Sequence, residues 1–279
     1  MREYFLIAVL LGILVPAGLA ENRASCAPVR QEFNERYSIS TSGHVRLKAD
    51  TGAVYIRGDD RTTVLVQATK IACTQAALDG TEIHVDAHPQ NSERPEHLDI
   101  ETRYSRREKG DAVRIEYRIT IPSNVSLDHI FLRDGDVSIS EVNGRIHAKT
   151  ARGTVDVEGI RAPSELASAH GAVRAVFTRV VGAGRLSSVR GDIYVILPSD
   201  SNTDVEATTG LHEITNEFGV PASETNRGHS LTFRIGRGTA HLDMIAFAGA
   251  ITIVRADDEK PLSAVVNLAR EQPGRALIW

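Results

Sequence analysis

The sequence predicts an all-β fold: a single β-solenoid, parallel β-helix-like, of ~18–20-residue coils with irregular N-terminal strands and a short C-terminal cap. Three observations predict it. Gly135, Gly153, Gly171, Gly191 and Gly210 recur at spacings of 18, 18, 20 and 19 residues. Around each of them apolar and polar residues alternate with period two, which puts them on opposite faces of a strand. Aromatic residues make up only 5% of the 279-residue chain, with one Trp. A narrow solenoid interior is filled instead by stacked Val, Ile, Leu and Ala.

In chain order, the first element is a secretory signal over residues 1–20. Met1-Arg2 gives a short basic start and Tyr4–Val15 is a 12-residue apolar run. Pro16 breaks that run, and Gly18 and Ala20 supply the small residues a signal peptidase reads. The run is shorter than the ~20 apolar residues of a transmembrane helix, although an uncleaved N-terminal anchor is the competing reading. Residues 21–43 are an N-terminal extension containing Cys26. With Cys73 it makes an even pair, which in an oxidising compartment is a disulfide candidate.

The solenoid is expected over residues 44–255. Two residues after the repeat glycines stand Val137, Val155, Val173, Ile193 and His212. Three residues before them stand Leu132, Thr150, Ser168, Ser188 and Ala207. The unit therefore reads apolar-x-small-x-x-Gly-x-Val/Ile-x-apolar, and Gly52, Gly249 and Gly238 fit it as well. Glycine falls between two inward strand pieces, where the chain turns sharply and φ > 0 is often needed. Upstream the pattern loosens into irregular first coils or a leading sheet. An antiparallel meander is the rival architecture, but it has no reason to keep the small-residue and β-branched positions in phase with the glycine. Residues 256–279 form a tail or cap, with Leu262, Val265, Val266 and Ala269 on one face of a short predicted helix over 261–270.

The segments Thr150–Val155, Ser168–Val173 and Ser188–Ile193, with the strand-to-proline ending Ile193–Pro198, resemble a bacterial adhesin-like family of unknown function. The resemblance covers residues 130–255 well and 44–121 loosely. It implies a Ser/Thr-x-x-Gly-x-Ile/Val β-solenoid and interaction at a surface, and it brings no catalytic residues.

The formal net charge of −4, with both signs mixed along the chain, offers no basic surplus for nucleic acid. His84, Asp86 and His88 lie at i, i+2 and i+4 on a predicted strand and are weak candidate metal ligands. The alternative is a solvated polar face opposite Ile83, Val85 and Ala87. Asp134, Asp136, Asp156, Glu158 and Asp192 recur on the outer face, as paired carboxylates of a polysaccharide-active enzyme would. They alternate with Arg133, Arg152, Arg174 and Arg190, as a soluble stacked sheet also requires. Arg57-Gly58-Asp59 and Arg190-Gly191-Asp192 follow from the repeat's need for glycine and a charged outer face. No nucleophile elbow, phosphate loop or His-Glu-x-x-His motif occurs. No catalytic residue and no cofactor is expected.

The resulting expectation is an exported, periplasmic or cell-surface protein with no membrane span in its mature chain. It would be non-catalytic and would present a surface to an envelope protein or glycan. A polysaccharide-active enzyme and a metal-binding envelope protein are the alternatives.

Overall fold

The computed structural model describes residues 26–89, 93–104 and 112–257. The expected signal over 1–20 and the tail after residue 257 lie outside these. No helix among the described residues is long and apolar enough to cross a membrane.

The described chain is all-β apart from α1 (Gln75–Asp79), a short helix capped by the Thr74 hydroxyl. Its strands join in one large, mostly parallel sheet with two ladders of inward faces. Two long strands, β2 (His44–Asp59) and β7 (Ser126–Ser140), contribute their first halves to one ladder and their second halves to the other. Later units divide the same job between two strands. These are β8 (Ile146–Arg152) with β9 (Val155–Ile160), β10 (Ser164–His170) with β11 (Val173–Phe177), and β12 (Ala183–Arg190) with β13 (Ile193–Pro198).

Period-two alternation decides which side chains turn in. Leu127, Ile130 and Leu132 of the first ladder meet Val137 and Ile139 of the second in one continuous buried core. Each strand pair buries an apolar stripe that its own unit cannot cover, so stacking supplies the burial. The pairings are parallel and in register: Leu166 lies between Ala148 and Leu186, and Ala175 between Val157 and Val195.

At the corner between the ladders the glycines form a column. Gly52, Gly135, Gly153, Gly171 and Gly191 all have φ between 134° and 153°. A Cβ on Gly153 would sit 2.1 Å from the Gly135 carbonyl oxygen, and one on Gly171 2.0 Å from that of Gly153. Gly191 and Gly249 continue the column, with hypothetical Cβ contacts of 2.2 and 2.0 Å. The small residue of the repeat then has a second purpose. The Thr150 hydroxyl donates to the Gly135 carbonyl at 3.0 Å, Ser168 to Gly153 at 2.8 Å and Ser188 to Gly171 at 3.1 Å. These buried hydroxyls satisfy carbonyls that the sharp corner removes from the strand ladders.

Several expectations need correction. The sheet is mixed and not closed, because antiparallel strands occupy both ends of the stack. At one end β4 (Thr81–His88) lies on β5 (His97–Tyr104) in the first ladder. In the second, β1 (Val29–Ser38) lies on β3 (Thr63–Ala72), and β3 on β6 (Arg114–Pro122). The extension assigned to 21–43 thus contains a strand. At the other end β14 (Thr203–Thr209) carries the antiparallel β17 (Gly228–Ile235), which carries β16 (Ser223–Thr225). The β16–β17 turn is two residues and the β4–β5 connection eight, both too short for the crossover a parallel pair requires. Among the described residues this hairpin covers the first ladder's last edge.

Stacking order also departs from chain order. The last unit, β18 (Ala240–Ala248) with β19 (Ile251–Ala256), inserts beside β12 and β13. It separates them from β14 and β15 (Ile214–Asn216). The register there corrects the repeat around Gly210. Thr209 pairs with Ala246, which also pairs with Ser188, so Thr209 holds the small position and His212 the corner position. The Thr209 hydroxyl donates to the Gly249 carbonyl at 2.7 Å. His212 is therefore an exposed corner residue and not an inward one, and Gly210 lies two residues before the corner. Gly238, with φ 65°, belongs to the turn between β17 and β18 and not to the column.

Candidate functional site

The fold leaves two flat outer faces, and their chemistry differs along the stack. Outward residues of the first ladder form columns running across the strands. One column begins with charge: strand pairing aligns Asp99, Arg46 and His129, and then His147, Glu165, Arg185 and Asp243, while His129 and His147 meet edge-on with ring centroids 5.4 Å apart across a break in register. Lys149 to Glu165 at 2.6 Å and Arg185 to Asp243 at 3.2 Å tie neighbouring units together. Half-exposed pairs of this kind contribute little each, about 0–1 kcal/mol. Burial pushes the His147 imidazole below its ordinary pKa, partly opposed by Glu165. The Lys149 hydrogen bond holds the Glu165 carboxyl low.

The neighbouring columns lose their charge towards β18. Ala167, Ser187 and Ile245 align in one, and Ala151, Ala169, Val189 and Phe247 occupy the next. Val189, Ile245 and Phe247, with Leu211 in the adjoining loop, are 39–68% exposed. β12 and β18, which carry the first three of these, pair with parallel neighbours on both sides, which holds the backbone under this apolar strip in place. Contiguous exposed apolar surface on a flat sheet, rimmed by Arg152, His170 and Arg190, is the form an interaction site takes.

The chain matches no protein-family model, and no curated protein is similar to it. Among solved structures, a candidate cell adhesion protein from Clostridium sporogenes is 12% identical with a TM-score of 0.40, over 81% of this chain and all of that one. A candidate adhesin from Bacteroides fragilis is 13% identical (TM-score 0.37), and a candidate lipid-binding protein from Parabacteroides distasonis 9% identical (TM-score 0.32). Each of these two spans 81% of this chain and 97% of its own. None of these likenesses bears on what the chain binds.

The metal candidates lie on the edge strand β4. His84 Nε2 is 2.7 Å from Asp86 Oδ2, and His88 pairs across the ladder with His97. That places His84 and Asp86 in a contact of their own. Among the described residues no group of three or more His, Cys, Asp or Glu could hold a metal ion. His97 instead stacks on His44, with ring centroids 5.1 Å apart, and His44 Nδ1 lies 2.9 Å from Asp128.

The outer carboxylates have structural partners. Asp136 accepts from the Thr154 amide at 2.7 Å, and Asp192 from the Ala250 amide at 2.9 Å. Both acids therefore clip one unit to the next at the glycine corner. Arg174 is mostly buried and donates from Nη1 to Asp156 at 2.9 Å and to Glu158 at 2.8 Å. Asp134 pairs with Arg133 and Arg152, and its carboxyl is held low, first by the Arg152 hydrogen bond. The carboxyls with resolved shifts, Glu101, Asp134, Glu165 and Asp204, all move downward. A glycosidic general acid needs the opposite shift.

Cys26 and Cys73 form a disulfide with Cα atoms 5.5 Å apart. It joins the chain ahead of β1 to the end of β3 and pins the outermost strand of the second ladder.

What sequence reading missed is the exposed strip. Val189 and Phe247 occupy outward positions, and the signal was present: two residues before the repeat glycine, large apolar residues stand where other units place Asp50, Arg133, Ala151 or Ala169. Their adjacency was not visible, because β18 reaches β12 only through the out-of-order insertion.

Proposed function

We propose that this chain is an exported envelope protein whose stacked units form a non-catalytic β-solenoid presenting a binding face. That face is the outer side of the first ladder around Val189, Ile245 and Phe247, and its partner is an envelope protein or glycan. The observation that carries the reading is the exposed apolar strip on a paired, rigid sheet. Large aromatic and aliphatic side chains exposed on such a surface are the usual anchors of recognition. Rigid backbone beneath them lowers the entropic cost of binding.

The test is retention of envelope extract, and of cell-wall and capsular polysaccharides in parallel, on immobilised full-length protein. The expected result is a specific protein or glycan that competes off with soluble protein. Retention should fall at least about tenfold for the Val189→Ser/Phe247→Ser pair, equivalent to the loss of one anchor. A change on the opposite face, Tyr55→Ser, should leave it unaltered. Shortening of a polysaccharide without retention would overturn the reading and move attention to the carboxylates.

A further inference from the structure

The corner opposite the glycine column carries the connections from one unit to the next. Between β9 and β10 that connection is three residues long, but residues 178–182 join β11 to β12 and residues 199–202 join β13 to β14. Because β18 inserts between β12 and β14, the turn 236–239 enters between the other two connections. It leans on one of them: the Arg237 amide donates to Asn202 Oδ1 at 3.0 Å and the Thr239 hydroxyl to the Asn202 carbonyl at 3.1 Å. A cleft of about 400 Å³ is left among the three segments, within the ~300–1,000 Å³ of small-molecule sites.

The walls of this cleft are fixed by backbone hydrogen bonds. The Thr178 and Arg179 amides donate to the Ile160 carbonyl, Ser201 to Pro198, Ala240 to Asn202 and His241 to Gly182. The cleft therefore exists before any ligand arrives. Arg179 and Asp200 both line it, and neither side chain has a hydrogen-bond or ion-pair partner among the described residues. Ser201 lines it too. That residue is only 6% exposed, and its hydroxyl is buried without a partner among the described residues. A buried hydroxyl in that state is destabilising until something pairs with it. Val181 and Pro198 add apolar surface beside these polar groups.

We propose that this cleft binds a saccharide. An ionised Asp200 only accepts hydrogen bonds and Arg179 only donates them, so the pair suits a ligand that does both from neighbouring groups. Sugar hydroxyls do both. The balanced charge argues against a phosphate, which Asp200 repels, and an apolar ligand would strip water from two charges. Ser201 adds a further polar contact, while Val181 and Pro198 meet the C–H face of a ring. A few placed polar groups on partly apolar walls are what fixes a small ligand's orientation. The site does not rest on the first-ladder face around Phe247. Ala240 opens β18 and Phe247 stands near its end, so about seven residues of extended strand, ~23 Å, lie between the two.

The test is NMR titration of isotope-labelled full-length protein with glucose, N-acetylglucosamine and N,N′-diacetylchitobiose, and separately with inorganic phosphate. At least one saccharide should give saturable shifts in the amides of 178–182, 199–202 and 239–240. Asp200→Asn and Arg179→Gln should each weaken that binding at least about tenfold, the loss of one charged hydrogen bond. Both side chains belong to exposed residues, so the stack should still fold. Ser201→Ala should weaken binding without lowering the thermal midpoint of the free protein, because its hydroxyl has no partner to lose. The Val189→Ser/Phe247→Ser pair should leave the titration unchanged, so this proposal and the first-ladder reading fail separately. Absence of any saturable saccharide shift would overturn the proposal, as would shifts with phosphate alone. Saccharide binding that survives both charge substitutions, or that disappears in the Val189→Ser/Phe247→Ser pair, would overturn it as well.

Discussion

At the scale of single residues, the corner glycines are the most constrained positions. Gly153 combines φ 134° with a hypothetical Cβ contact of 2.1 Å to a backbone oxygen, so neither rotation nor a side-chain shift relieves a substitution. Gly153→Ala should lower stability by about 2–3 kcal/mol. Gly219 also has positive φ, at 74°, but nothing lies within 4 Å of its hypothetical Cβ. Gly219→Ala should cost only about 1 kcal/mol, the backbone strain alone. Urea midpoints of the two variants at unchanged m-value would separate crowding from strain. His147 supplies a pH dependence. Its folded pKa lies below the unfolded value of 6.5, so between the two the unfolded state binds more protons. Stability from this group is therefore present above pH 6.5 and is lost as pH falls towards the folded pKa. His147→Gln should flatten that limb in thermal midpoints recorded between pH 7 and pH 5.

At the scale of elements, the weakest part of the molecule is the edge. β1 is largely exposed and, among the described residues, pairs with β3 alone, with the disulfide holding its start. Replacing both Cys26 and Cys73 by Ser removes a closure of 47 residues, worth up to roughly 4 kcal/mol in the chain-entropy model. The expected outcome is faster amide exchange over 29–38, with the central β8–β13 amides little affected at native-state exchange times. Equal acceleration everywhere would show that β1 unfolds only with the whole. The central strands were legible as strands because each carries its own alternation and its own corner glycine. β1 was not, since Val29, Phe33 and Tyr37 recur every fourth residue and leave no period-two stripe.

At the scale of the whole molecule, the last unit of the chain is an interior layer. β18 and β19 have parallel neighbours on both sides, and Ile253 is fully buried in the main core. Ile253→Ala should therefore cost about 2–4 kcal/mol, the range for a fully packed core side chain. The loss should appear in one cooperative transition. A shallow separate step, read by comparing fluorescence and circular dichroism melts, would show instead that the C-terminal units unfold independently. The insertion also sets the candidate site, because β18 brings Phe247 beside Val189.

The sequence by itself determined the strand class, the inward and outward faces, and the phase of the corner in the units from Gly52 to Gly191. Those properties are local. Alternation, a small residue and a glycine act within one unit, and each unit repeats the same physical demand. Tertiary structure decided which unit lies against which, where antiparallel strands end the stack, and the two-residue shift that puts His212 and not Gly210 at the corner between β14 and β15. Units sharing one template offer nearly equivalent partners, so local pattern does not distinguish β14 from β18 as the neighbour of β12. Only the summed packing, hydrogen bonding and loop closure of the complete chain resolves that choice, and with it the surface available to a partner.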